Sequence, residues 1–398
     1  MEKGMLPLTC KGFTACGIAA GIKKNGDLDL GMLVSDRPAR AAAVFTKNRV
    51  QAAPVQLDRE RVKSGTARAV IVNAGNANCA NGRQGMDAAR AMTAAAARSL
   101  GVNEDQVLAA STGVIGAPFP TETVEAAMPV LTERLSENGV PDLARAIMTT
   151  DTRPKMAVRE GSADGVSYRI VAVAKGAGMI RPDMATMLCF ACTDAGMAVA
   201  DLQSALRRSV DGSFNRITID GDTSTNDTVI LMANGASGAR IESDGDSATF
   251  QRLLDDLCMD LARQMVRDGE GVSKVVDLTV GGARSDHDAR AIADTIAHSP
   301  LVKTAFFGED ANWGRIIAAA GRAGVFLDPD RLDLYFDGVQ MMRNGTGCGL
   351  DAEDKAAVVL KKPEFSVTLD LNLGVGTASM LTCDFSLDYV KINADYRS

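Results

Sequence analysis

The stretch KGAGMIRPDMATMLCF, residues 175–190, constrains the fold of this chain more than any other. Glycines at 176 and 178 and a proline at 182 break the backbone twice, and an uncharged run of residues 187–192 then follows. A short apolar run bounded by turn residues suits a buried strand. At the junction stands one hydroxyl, Thr186, behind the small Ala185. A threonine at the mouth of a buried strand has two readings. It satisfies a backbone group, or it is a nucleophile presented by a rigid element. Its company elsewhere in the chain favours the second.

A chain of 398 residues has room for a large core, and length alone suggests two or three lobes. With 46% hydrophobic and 23% charged residues it is a globular protein and not a disordered one. Its net charge of −7 argues against a nucleic-acid partner, which needs clustered Lys and Arg. No apolar run approaches the ~20 residues that span a bilayer, and the start MEKGMLPLTCKGF has the pattern of neither a secretion signal nor a transit peptide. Eight cysteines are scattered through apolar or Gly-rich contexts. The CxxC pair Cys189 and Cys192 lies inside the expected strand, which argues against a metal or redox role. The expectation is a reduced, cytoplasmic protein.

Along the chain, residues 12–72 read as short β segments, the last running into Asn73-Ala74-Gly75-Asn76-Ala77-Asn78, a tight loop by composition. Helices are expected over residues 85–100, 121–138, 200–210, 250–267, 288–297 and 313–322, and strands over 107–110, 187–192, 216–220, 274–280 and 302–307, with mostly β structure from there to Ile392. Neither an internal repeat nor a flexible linker is visible. The strand at 107–110 leads into Thr112-Gly113, a hydroxyl beside an unobstructed backbone N–H. Those are the donors of an oxyanion hole, where they meet charge that develops on a carbonyl oxygen. Residues 148–152, MTTDT, pack hydroxyls around one carboxylate, and DGDTSTND at 220–227 is a dense polar loop without an EF-hand pattern. Glu270, held between Gly269 and Gly271, is expected to be exposed and mobile unless something binds it.

A Ser–His–Asp triad needs a histidine, and the chain has two, His287 and His298. The first lies in a charged loop and the second suits a helix C-terminus. A hydroxyl nucleophile without histidine needs another base, and an N-terminal amine is one solution. Cutting the backbone before Thr186 frees an α-amine whose ordinary pKa is about 7.7–8.0. That amine can take the proton from the hydroxyl of its own residue. Lys175, upstream, can lower nearby pKa values or grip a carboxylate.

KGAGMIRPDMATML resembles the autocleavage motif of the ArgJ family, the ornithine acetyltransferases (glutamate N-acetyltransferases) of arginine biosynthesis. VNAGNANCANG, STGVIG, MTTDT, DGDTSTND, DGEGVSK, FFGEDANWGRI and the terminal NADYRS are similar to further family blocks, in family order. The resemblance covers essentially the whole chain. It implies an α+β fold, a four-layer αββα sandwich of the type seen in N-terminal-nucleophile hydrolases. It implies self-cleavage between Ala185 and Thr186 into an α chain, 1–185, and a β chain, 186–398, that share one core and assemble as α2β2. The activity it implies is ping-pong acetyl transfer from N-acetylornithine to glutamate through acetyl-Thr186, with Thr112 and Gly113 as the oxyanion hole. By the same resemblance Thr152, Lys175, Thr186, Glu270, Asn393 and Ser398 line the substrate site. No cofactor and no metal is implied, since the amide donor carries the acetyl group; whether acetyl-CoA is a second donor is left open. Lys175 suits a substrate α-carboxylate and Glu270 an ornithine ammonium. Three rivals remain: a self-cleaving aminopeptidase of similar architecture, a nucleotide-binding protein, for which GxxxxGK[ST] is missing, and a non-catalytic binding protein.

Overall fold

The computed structural model describes residues 6–181 and 187–395. Ala185, Thr186 and Ser398 therefore lie outside the described residues. The chain separates into two compact units, residues 1–215 with 222–265, and residues 216–221 with 266–398. The expected junction at 185/186 falls inside the first.

In chain order the first unit holds β1 (Phe13–Ile18), β2 (Leu30–Phe45), α1 (Ala53–Arg61), β3 (Thr66–Asn76), α2 (Gly82–Leu100), β4 (Val107–Val114), α3 (Thr121–Glu133) and α4 (Val140–Ala146). It continues with β5 (Lys155–Ala163), β6 (Val166–Lys175), β7 (Leu188–Thr193), α5 (Val199–Gly212), β8 (Thr228–Ala233) and α6 (Asp244–Arg267), in which the unit boundary falls. Its sheet runs β4-β3-β2-β8-β7-β6-β5, with β1 also paired to β2. One pattern occurs twice. β1 pairs antiparallel with β2, β2 antiparallel with β3, and β3 parallel with β4 across the helix α2. β5, β6, β7 and β8 repeat these pairings, with α5 as the crossover. An antiparallel β2–β8 pair joins the halves. No sequence similarity marks this repeat, because strand order is set by pairing and each half carries different side chains.

Strand alternation divides the residues between two cores. Val70, Val72, Leu108, Ala110, Val171, Val173, Leu188, Phe190, Ile230 and Met232 face one, closed by Val140, Leu143 and Ile147 at α4. Ala69, Ile71, Val107 and Ala109 face the other, where Met92 and Ala96 of α2 and Met128 and Leu131 of α3 cover them. Cys189 and Cys192 are three apart on β7 and so lie on opposite faces, which denies them a common ligand.

The second unit contains β9 (Val275–Ala283), α7 (Asp286–Ala297), α8 (Pro300–Phe307), α9 (Trp313–Gly321), β10 (Asp333–Phe336), β11 (Val339–Arg343), β12 (Thr346–Gly347), α10 (Leu350–Leu360), β13 (Glu364–Asp370), β14 (Gly376–Cys383) and α11 (Leu387–Ala394). Its sheet runs β12-β11-β10-β13-β9-β14, with β13 and β9 parallel. Ile292, Ile296, Val302, Phe306, Ile316, Ala320 and Leu360 from the helices pack on Val276, Leu278, Val367 and Leu369 from the strands.

Both units mix helices with sheets, the α+β class expected. Four local expectations are corrected. The strand expected at 302–307 is helix α8, started by Pro300, with Val302, Ala305 and Phe306 buried at helical spacing. A six-residue segment with four apolar residues, VKTAFF, has either reading, and helical packing decided it. α1 interrupts the expected β region, opening with Pro54 in its first turn. α10 and α11 interrupt the expected C-terminal β stretch. Residues 216–220 make a single bridge, Ile217 to Leu381, rather than a strand.

Phe190 is buried in the first core. Phe190→Ala is expected to cost about 3–5 kcal/mol in urea denaturation, whereas Leu350→Ala, at a residue 78% exposed, should stay within about 0.5 kcal/mol.

Candidate active site

Two segments of the first unit converge on the ammonium of Lys175, the last residue of β6. It donates to Thr149 Oγ1 at 2.7 Å and to Thr112 Oγ1 at 3.4 Å, and stands 3.8 Å from Asp151 Oδ2. An ammonium has only protons to offer. Thr112 is therefore an acceptor toward Lys175, and its own hydroxyl proton is left for another acceptor.

Thr112 is buried, and parallel pairing sets Ala74 beside Thr112 and Gly75 beside Gly113. Gly113 has φ +130°, and a Cβ there would lie 2.3 Å from the Gly75 carbonyl carbon and 2.6 Å from the Asn76 nitrogen. Only glycine fits, because the two backbones approach too closely for a side chain. A buried amide network fixes this end of the sheet. Ser111 Oγ donates to Asn73 Oδ1 at 2.6 Å, and Asn73 Nδ2 donates to the Asn76 carbonyl at 2.9 Å. Asn226 Nδ2 donates to the carbonyls of Ala77 at 2.6 Å and Ser111 at 2.8 Å. VNAGNANCANG and DGDTSTND are thus joined by hydrogen bonds from opposite ends of the unit's sequence.

Asp151 is the hub. Its Oδ1 accepts from Lys155 Nζ at 2.6 Å and from the Gly176 N–H at 2.7 Å, and its Oδ2 accepts from the Thr149 N–H at 3.0 Å. Burial pushes this carboxyl up, but the charges of Lys175 and Lys155, the Lys155 hydrogen bond and the Gly176 N–H outweigh it and bring the pKa down to about 2. Lys23 lies close enough to feel this cluster: burial lowers its ammonium, Asp29 and Asp27 raise it, and the like charge of Lys175 lowers it further. Thr152, next to Asp151, is exposed.

The second unit carries the other described candidates. Glu270 lies between α6 and β9, buried and accepting from Asn393 Nδ2 at 2.8 Å. The exposed, mobile carboxylate expected from its glycine neighbours is therefore corrected: an amide from α11 holds it. Gly271, at φ +67°, leaves no room for a Cβ, which would lie 2.4 Å from the Tyr389 nitrogen. His298 ends α7, as its position suggested, with Nδ1 2.7 Å from the Asp294 carbonyl oxygen.

A model of the ArgJ family matches residues 14–398. The chain is 53% identical over 393 residues to the arginine biosynthesis bifunctional protein ArgJ of Geobacter sulfurreducens, covering 98% of this chain and 100% of that protein. It is 50% identical over 389 residues to that of Syntrophotalea carbinolica, covering 97% and 99%. The chain belongs to the ArgJ family. It is thereby an enzyme of the acyltransferase class. Among solved structures, the arginine biosynthesis bifunctional protein argJ of Bacillus halodurans is 39% identical, with a TM-score of 0.48, covering 50% of this chain and 95% of that one.

Sequence reasoning named Lys175, Thr112, Gly113, Glu270 and Asn393, and missed Asp151, Lys155, Asn226 and Asp227 as contributors. MTTDT was a usable signal, since Lys155 follows Asp151 by four residues and the carboxylate needed a cation.

A carboxyl depressed by folding contributes stability above its unfolded pKa, and that contribution is lost as pH falls through the folded value. Wild-type stability is expected to lose on the order of 2 kcal/mol between about pH 4 and pH 2 from Asp151 alone. Asp151→Asn should flatten that loss. At pH 7 it should cost about 3–5 kcal/mol by urea denaturation, since two buried ammonium groups lose their carboxylate.

Proposed function

We propose that this enzyme transfers the acetyl group of N-acetylornithine to glutamate through an acetyl ester on Thr186, after the chain cuts itself between Ala185 and Thr186. The freed α-amine takes the hydroxyl proton, and the oxygen attacks the acetyl carbonyl. The resulting oxyanion accepts the Thr112 O–H and the Gly113 N–H. Collapse breaks the amide C–N bond, the proton passes to the leaving nitrogen, and ornithine departs. The α-amine of glutamate then attacks the ester, giving N-acetylglutamate and restoring the Thr186 hydroxyl. The supporting observation is the Lys175 ammonium at Thr112 Oγ1, which keeps that hydroxyl's proton for a different acceptor.

Lys175 suits the substrate α-carboxylate. Glu270, oriented by Asn393, suits the ornithine side-chain ammonium, and Thr152 and Ser398 are assigned to the substrate by family resemblance. No cofactor is needed, because an amide carries the acetyl group in. Acetyl-CoA as a second donor to glutamate would fit the word bifunctional in the relatives' names, and incubation of the two with the enzyme tests it. We place the reaction in the cytoplasm and the assembly at two α and two β chains.

The sheet order supports a cut that leaves the pieces together. β7 and β8 would belong to the β chain, and β8 pairs with β2 while β7 pairs with β6, both of the α chain. Separating the pieces would break two strand ladders and the core they share. A self-cleaving aminopeptidase is the second reading, and a peptidase assay separates it.

Purified wild type is expected to show two masses, of residues 1–185 and 186–398, that co-elute in native gel filtration; Thr186→Ala should stay whole. A wild type that stays whole after long incubation removes the N-terminal base and this mechanism with it. Glu270→Gln should raise KM for N-acetylornithine by about 10- to 100-fold, the worth of a hydrogen bond to a charged group, and leave KM for glutamate within about threefold. Equal effects on both substrates would sink the Glu270 assignment.

A further inference from the structure

Asp227 ends the DGDTSTND motif and is fully buried. Parallel pairing of Leu188 with Thr228 sets it beside Met187, the residue that follows Thr186. Its Oδ1 accepts the Met187 N–H at 3.0 Å, and the Met187 carbonyl accepts the Thr228 N–H at 3.2 Å. The Asp227 backbone is fixed in turn, its carbonyl accepting the Thr46 N–H at 3.0 Å. Both polar groups of Met187 are thus tied to the head of β8. The second carboxyl oxygen, Oδ2, is buried and has no hydrogen-bond partner among the described residues.

We propose that Asp227 is a positioning residue, which holds the Met187 N–H, the first backbone amide after Thr186 in the sequence, at the mouth of β7. The inference rests on the reading of Thr186 as the nucleophile. Burial raises this carboxyl well above the usual range, and the Met187 N–H, the Ser224 hydroxyl, the charge of Lys175 and the Thr46 hydroxyl offset only part of the rise.

Asparagine keeps a neutral carbonyl acceptor of the same reach, and alanine removes it. The experiment compares Asp227→Asn, Asp227→Ala and Thr186→Ala with wild type. It follows intact mass over time, then kcat and KM for acetyl exchange between N-acetylornithine and glutamate, with a thermal melt for each variant. Asp227→Asn is expected to cut and turn over within about threefold of wild type. Asp227→Ala should cut at least ~10-fold more slowly, and its cut fraction should lose about 10- to 100-fold in kcat with KM within about threefold. Should Asp227→Ala give no cooperative melt, the isosteric Asp227→Val takes its place under the same criteria. A folded Asp227→Asn that stays whole or loses turnover overturns the proposal, because the carboxyl would then be using its charge or its proton. An acceptor-free variant matching wild type overturns it as well. A Thr186→Ala protein that is still cut brings down the nucleophile assignment itself, whatever the Asp227 variants do.

Discussion

One buried carboxylate organises the candidate site: Asp151, with Lys155 and Lys175 on either side. Two ammonium groups drawn into a core would each carry a large desolvation cost, and a carboxylate between them, also bonded to two backbone N–H groups, offsets it. The consequence is geometric. The Lys175 ammonium is held at the end of β6, where it meets Thr112 on β4 and Thr149 before β5. Removing the carboxylate would release the cation that donates to the Thr112 and Thr149 hydroxyls.

The sheet supplies the second constraint. The parallel pair β7–β8 is inserted between β2 and β6, so the strand that begins just after Thr186 has neighbours on both edges. That strand cannot shift without breaking two ladders. Asp227 extends this logic to the first peptide of the strand, where a side chain completes the hydrogen bonding that the ladder begins. Buried amides do the same for Gly113, whose close approach to Gly75 leaves the backbone one conformation.

The candidate site was legible in part because its chemistry uses uncommon combinations. A hydroxyl after a broken turn and before an apolar run, a Thr-Gly pair after a strand, and a chain nearly without histidine narrow the mechanism before any coordinates are known. Asn226 was not legible, since its role is to bridge Ala77 and Ser111, more than a hundred residues away in sequence. Glu270 was misjudged because flanking glycines say what the backbone permits and nothing about Asn393, which arrives from the far end of the chain. The helix at Pro300–Phe307 was misjudged because a short, mostly apolar segment fits either period until its neighbours are known.

By itself the sequence determined the local facts: where the backbone turns, which runs are apolar, which residues carry donors, acceptors and charge, and the family whose motifs they match. Those follow from side-chain chemistry and from periods of two and 3.6 residues. Only the tertiary structure decided that two halves of the first unit repeat one strand pattern, that Lys155 and Lys175 share Asp151, and that Asp227 meets Met187. Each of these depends on pairing between segments distant in the chain. Burial then sets the energy, since the same carboxyl is lowered between two cations at Asp151 and raised by desolvation at Asp227.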